Sequence, residues 1–333
     1  MDSFSRKWLA QGIGIACLVV VLILIGVGIY WSDEPDLWDV GASAKQAAEE
    51  NAEKMVVGYA TTTALIELMA LLLEKPGGYL TNDLAPPGVW LDNVPNWEFG
   101  VLVQIRDMSR SLRKDMARSQ STSAEDKDLA RAEPQFHFNS DKFWFPSTED
   151  TYREGLVFLN LYRARLADPA NAQAQFFARA DNLQKWLADV ETRLGSLSQR
   201  LSASVGREQV NVDLGGDEAA QRATDVSGEL SVKTPFLEID DVFYEARGSA
   251  FALAQLLKAV EIDFKQVLMK KNALVSLRQI IRELESSQQS VGSPMILNGS
   301  GFGMLANHSL VMANYISRAN AAIIDLRELL SKG

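Results

Sequence analysis

Two residue types are nearly missing from this chain of 333 residues: it has one cysteine, Cys17, and two histidines, His137 and His308. A lone cysteine cannot close a disulfide within the chain and cannot build a cysteine-based zinc site. The two histidines stand far apart in sequence, which leaves little for His-based metal binding or acid–base chemistry. An enzyme of this composition would have to work through carboxylates, Lys or Ser, and no cofactor is expected. A basic excess is absent too. The net charge is −10, from 33 Lys and Arg against 43 Asp and Glu. Nucleic acid, which is held by a dominant basic face, is therefore not an expected partner. What remains is a chain with 47% apolar residues and seven Trp, enough for a sizeable core in one or two domains of about 100–200 residues each. One elongated domain is the preferred reading.

From Gly12 to Tyr30 every residue is apolar or small. About 20 such residues, rising about 1.5 Å each, match a hydrocarbon layer about 30 Å thick. Arg6 and Lys7 precede the run; Asp33, Glu34, Asp36 and Asp39 follow it. The positive-inside rule then predicts a bacterial inner-membrane protein with a short cytoplasmic tail (1–11), a transmembrane helix (12–31) and a periplasmic body (32–333). Trp8, Tyr30 and Trp31 stand where interfacial aromatics belong. A cleaved signal peptide has a shorter apolar core, about 7–15 residues, ending in small residues, whereas this run ends Gly-Ile-Tyr-Trp. A lipoprotein reading of Cys17 fails because the apolar run follows the cysteine. Gly12 and Ala16 lie four apart and would permit close helix association in lipid. The plainer reading is that glycine is common in membrane helices.

The body reads as helix almost throughout. Ala48, Ala52, Met55, Tyr59, Thr62, Ile66, Met69 and Leu73 alternate steps of four and three, predicting one helix from about Ser43 to Lys75. Pro76-Gly77-Gly78 ends it, and a proline-bearing loop follows to Asn96. Val101, Ile105, Met108, Leu112 and Met116 mark a helix from Trp97 to Arg118. Ser123 and Asp126 resemble a capping box for a short helix closed by Pro134, and Ser147 with Asp150 starts another running to about Leu166. Phe176, Ala180, Leu183, Leu187, Val190, Leu194, Leu197 and Leu201 predict a long helix from about Asn171 to Ser204. Polar residues from Gly206 to Thr234 form a loop or small hairpin. Helices over Ile239–Gln289 and Met304–Lys332 complete the chain, the second with Leu305, Ser309, Met312, Ile316, Ala319, Ile323, Leu326 and Leu330 in the same period. The expected fold is all-α: an extended antiparallel helical bundle with coiled-coil-like helices, preceded by one transmembrane helix. Heptads this short do not separate an internal seam from an intermolecular one.

Chemistry has few places to hide. Asn298–Gly303 is a glycine-rich turn before a helix, but it lacks the lysine and buried strand of a phosphate-binding loop and reads as a connection. Arg106, Arg110, Arg113, Lys114 and Arg118 form a basic stripe that would dock lipid phosphates or an acidic partner. The plainer reading is a solvated face paired with the chain's own carboxylates, such as Glu49, Glu50 and Glu53. Phe136, Phe138, Phe143, Trp144 and Phe145 around His137 are expected to plug the core, because leaving so many aromatics exposed is costly. The pairs Asp240-Asp241 and Glu149-Asp150 tempt a hydrolase reading. Both stand where helices begin, and the helix dipole explains them.

Two stretches carry a resemblance: Trp-Glu-Phe-Gly-Val-Leu-Val-Gln-Ile-Arg-Asp at 97–107 and Phe-Trp-Phe-Pro-Ser-Thr-Glu at 143–149. With the single N-terminal membrane helix, they make the chain resemble a proteobacterial family known as domain of unknown function 2333, over almost its whole length. The resemblance implies no reaction and no catalytic residues. The expected function is a membrane-anchored scaffold of the cell envelope, with the lipid bilayer and either copies of itself or other envelope proteins as partners. A carboxylate enzyme or accessory acting on peptidoglycan or lipid is the alternative.

Overall fold

A computed structural model describes residues 3–120, 122–170, 173–210, 229–293, 295–300 and 304–332. Its first helix, α1 (Ser3–Trp31), carries the apolar run and stands almost entirely outside the body. Then follow α2 (Val40–Glu50), α3 (Tyr59–Glu74), α4 (Asn93–Ser111, extended by a wider π turn, Leu112–Met116), α5 (Leu129–Phe136), α6 (Thr148–Ala167) and α7 (Ala180–Ser202). The strands β1 (Arg207–Val210) and β2 (Glu229–Val232) pair antiparallel, Arg207 opposite Val232. The hairpin reading of 206–234 holds at its two ends; residues 211–228 lie outside the described residues. The chain closes with α8 (Ile239–Asp263), α9 (Lys265–Lys270), α10 (Leu274–Ser286) and α11 (His308–Ser331).

The most regular seam is internal. Leu183, Leu187, Val190, Leu194, Leu197 and Leu201 of α7 and Met312, Ile316, Ala319, Ile323, Leu326 and Leu330 of α11 are all buried. Gln184 donates to the carbonyl of Arg327, the Arg327 side chain pairs with Glu191, and Gly195 faces Asn320. The two helices are therefore antiparallel, and their heptads meet each other within one chain. At the other main crossing, α4 lies backbone-to-backbone on α8. A Cβ on Gly248 would stand 2.0 Å from the Trp97 carbonyl oxygen, and one on Gly100 would stand 2.1 Å from that of Glu245. Only glycine permits so close an approach.

Several boundaries differ from the sequence reading. The continuous helix over Ser43–Lys75 is broken in two. Ala52 (φ 52°) and Gly58 (φ 92°) take left-handed backbone, and Phe176 packs where a Cβ on Gly58 would be, 2.3 Å from its ring. Tertiary packing thus overrides the repeat. Phe176 is correspondingly not part of α7, which starts at Ala180; it lies in the irregular segment before it, with its ring 5.6 Å from that of Phe264. Ser123 caps no helix. Asp126 accepts from the amides of Asp128 and Leu129 instead, and α5 runs past Pro134 to Phe136. Pro95 stands in the first turn of α4, where a missing N–H breaks no helical bond. Leu305 precedes α11 and is exposed. The aromatic plug is half wrong: Phe136 is buried and Phe138 partly so, whereas Trp144 is 76% and Phe145 90% exposed. His137 is also exposed, one ring nitrogen toward Glu133 and the other 2.9 Å from Arg110.

Directions of the helices define two ends of the body. Carboxyl ends of α3, α7 and α10 meet amino ends of α4, α8 and α11 where α1 joins; this is the near end. The ties are Lys75 to Glu98, Arg200 to Glu245, and Arg247 to the carbonyl of Ser287. At the far end the amino end of α3 meets the carboxyl end of α8 through Thr61 and Asp263.

Candidate functional site: the junction between the apolar helix and the body

The candidate site lies where α1 enters the body. The last turn of α1 is closed by Ser32, whose amide and hydroxyl both donate to the Gly28 carbonyl. Gly28 is buried beside Pro87 and Leu91, where a Cβ would come into ordinary contact with both. The Trp31 indole lies over Gly77 so closely that a Cβ there would be 2.7 Å from the ring. Gly77 also has φ 85°, so this position needs glycine twice over.

Three residues later Glu34 meets Arg247 of α8 at 2.8 Å, with the Arg247 side chain 7% exposed. Arg247 spends its remaining donors on the carbonyls of Ser287, Gln288 and Gln289. These close the carboxyl end of α10, where a cation complements the helix dipole. One guanidinium thus joins the incoming strand, α8 and α10. Trp38 packs edge-on against Phe251, 5.9 Å between ring centres, and donates to Glu67, which also accepts from Ser43. Asp39 caps α2 by accepting from the Gly41 and Ala42 amides, which hold its pKa below the usual carboxylate range. Residues 32–39 are therefore held to the body at Glu34 and Trp38, between the capped ends of α1 and α2.

The floor of the junction is a buried ion pair, Lys75 to Glu98 at 2.7 Å, with side chains 2% and 0% exposed. Glu98 also accepts from the amides of Leu80 and Thr81 and from the Thr81 hydroxyl. Burial pushes its pKa up, against the opposing pull of Lys75. The pair fixes the loop after α3, which is the loop α1 touches. A cavity of about 160 Å³ lies beside Ser32–Pro35, lined by Lys75, Trp90, Asp92, Trp97 and Tyr244. A wider groove of about 820 Å³ also borders this segment, lined by Arg247, Glu285, Gln288 and Ser293.

The sequence-predicted residues lie elsewhere. Arg106 donates to the carbonyls of Phe136 and Phe138. Arg110 pairs with Asp107, Arg113 with Glu125 and Glu133, and Arg118 with Glu125. Lys114 is exposed beside a shallow hollow shared with Arg118, Arg179 and Lys185. The partners of the stripe are thus Glu125, Glu133 and Asp107; Glu53 pairs with Arg163 instead. Gly12 and Ala16 are exposed on α1, with nothing within 4 Å of a Cβ on Gly12. Of the glycine-rich turn, Gly301–Gly303 lie outside the described residues, while Asn298 bridges Asn307. Glu149 and Asp241 accept from Asn82 and Asn96 at the starts of α6 and α8. Among the described residues no three His, Cys, Asp or Glu side chains come together to hold a metal.

Sequence reasoning missed Glu34, Lys75, Glu98 and Arg247. Arg247 had a signal, since it immediately precedes ten uncharged residues, Gly248–Leu257. A charge bordering so apolar a helix is buried only with a partner.

These features define a class: a helical body fixed without a slack linker to one helix long and apolar enough to cross a membrane. The chain belongs to the DUF2333 family, described as an uncharacterized protein conserved in bacteria, which matches residues 3–333 and so includes both parts. No curated protein and no solved structure matches the chain.

Proposed function

We propose that this protein is a membrane-anchored structural or scaffolding protein of the bacterial cell envelope. In this reading α1 spans the inner membrane with its N-terminus in the cytoplasm and holds the body at the periplasmic face, where it assembles with copies of itself or with other envelope proteins. The observation that carries the reading is the Glu34–Arg247 clamp with its neighbours Trp31–Gly77 and Trp38–Glu67. A tether that only localised an enzyme would tolerate a loose linker; a scaffold that sets geometry relative to the bilayer needs a stiff one. The alternative, a carboxylate enzyme or accessory acting on peptidoglycan or lipid, is not favoured: Glu149 and Asp241 each accept from an asparagine at a helix start.

Two measurements test the proposal. A reporter active only in the cytoplasm should work fused before Met1 and be silent fused after Gly333; the reverse pattern overturns the orientation. Purified in mild detergent, the full chain should form a defined oligomer or co-purify in fixed ratio with envelope proteins. A lone monomer, with no crosslinks in intact membranes, would contradict the scaffold.

A further inference from the structure

Among the described residues outside α1, nine large apolar side chains are more than 60% exposed, and eight of them stand at the near end. Leu84 is in the loop after α3, Trp144 and Phe145 precede α6, and Phe236 and Leu237 precede α8. Met295, Met304 and Leu305 lie in the connection from α10 to α11. The ninth, Val275, starts α10 at the far end.

Bonds place these loops around the exit of α1. The loop after α3 touches Gly28 and Trp31 directly. Asn82 of that loop donates to the Lys142 carbonyl and to Glu149, which holds the loop before α6 alongside. Asn96 bonds Asp241 at 2.7 Å, bringing the start of α8 to the same level. Arg247 grips the carboxyl end of α10, and the ring of His308 lies 6.5 Å from that of Phe243.

We propose that this end of the body is itself seated in the bilayer interface, its loop tips entering the headgroup layer of the membrane that α1 crosses. The inference rests on the reading that α1 spans the bilayer. Lipid is the occupant because the surface is continuous with the membrane helix: Trp31, at the height of an interfacial aromatic, packs on the loop that carries Leu84. The residues 286–317 support this, having no Lys, Arg, Asp or Glu across 32 positions. The charges near the tips are mainly acidic, with Asp83, Asp92, Glu238 and Asp240 among them, so attraction to anionic lipid is not the driving force. Burial of Trp, Phe and Leu at the interface is.

The test uses the full chain with Cys17→Ser and one new cysteine at a time: Phe145→Cys, Leu237→Cys, Leu305→Cys, Val275→Cys and Leu22→Cys. Each carries an environment-sensitive fluorophore, in phosphatidylcholine vesicles containing a lipid spin-labelled near the headgroup or, for the probe at 22, near the end of its acyl chain, because that position lies at the middle of the span. The probes at 145, 237 and 305 should lose about half or more of their fluorescence, and the probe at 275 almost none. Adding phosphatidylglycerol or raising salt should leave this unchanged, and dependence on either overturns the proposal. Quenching at 22 with none at 145, 237 or 305 overturns the inference while the anchor stands. No quenching at 22 removes the anchor reading as well. Near-end probes shielded from both the lipid quencher and aqueous iodide would mean that a second copy or another protein covers this face, which also overturns it.

Discussion

At the far end of the body a buried carboxylate, Asp263, caps α3 from 202 residues away, donated to by the amide and hydroxyl of Thr61. Arg165 grips Asp126 and Asp128, and Arg163 pairs with Glu53 beneath Tyr59. At the near end Lys75, Glu98 and Arg247 are as deeply buried, yet they grip the loop and strand that receive α1, and the surface around them is apolar. The far end has the order of an ordinary water-facing end, with charges closing helix termini. The near end uses its charges to fix a junction and leaves its apolar residues outside. Buried charge therefore distinguishes the junction end only by what it holds.

The largest effect should ignore the distinction. Ile316→Ala with Ile323→Ala empties the α7–α11 seam, each change costing about 2–5 kcal/mol against a typical domain stability of about 5–15. Thermal melting in detergent should approach complete loss of the folded state, and Asn314→Ala, on the exposed face of α11, should shift stability by no more than about 0.5 kcal/mol. A double variant that melts normally but no longer associates would place this seam between chains instead.

That seam was legible in the sequence because both helices bury one uninterrupted face. The same period misled at Ser43–Lys75, where the repeat runs across a break made for Phe176, a contact 118 positions from Gly58 that local spacing cannot register. The apolar helix and the capping of α6 by Ser147 were also readable locally; the basic stripe was expected to pair with Glu49, Glu50 and Glu53 and pairs instead with Asp107, Glu125 and Glu133. The junction was not readable locally. Glu34 and Arg247 are 213 residues apart, and although Arg247 borders an uncharged run, nothing local names Glu34 as its partner. The exposed aromatics were misjudged because spacing does not show that the loop before α6 carries Trp144 and Phe145 off the core instead of over it.

Next in size, Glu98→Ala should separate the ends. It leaves Lys75 buried without its partner, a loss of about 3–5 kcal/mol, and protease cleavage should appear first between 76 and 92, ahead of any at 117–128. Equal loss of protection at both ends would show that the loop after α3 has no identity of its own. The mirror experiment is Asp263→Ala, which removes a cap and should cost about 0.5–2 kcal/mol. Hydrogen exchange should quicken at Ala60 and Thr61 and stay unchanged at Leu80 and Thr81.

A smaller effect comes from pH. Burial raises the pKa of both Asp263 and Glu67 above the ordinary carboxylate range. A folded state with raised values binds protons more tightly than the unfolded chain, so this stability is full below the ordinary range and is lost as pH rises through the raised values. Wild-type melting temperature should therefore fall with rising pH relative to Asp263→Asn. Parallel curves would mean Asp263 titrates as it does unfolded.

The stiff junction is tested most directly by distance. Cys17 is the native cysteine on α1, and Ser317→Cys adds one on the exposed face of α11. Spin labels at both, with the full chain in a lipid nanodisc, should give one narrow distance distribution that broadens when Arg247→Ala removes the clamp. A broad distribution in the wild-type background, unchanged by Arg247→Ala, would mean that the apolar helix and the body move independently and that the junction sets no geometry.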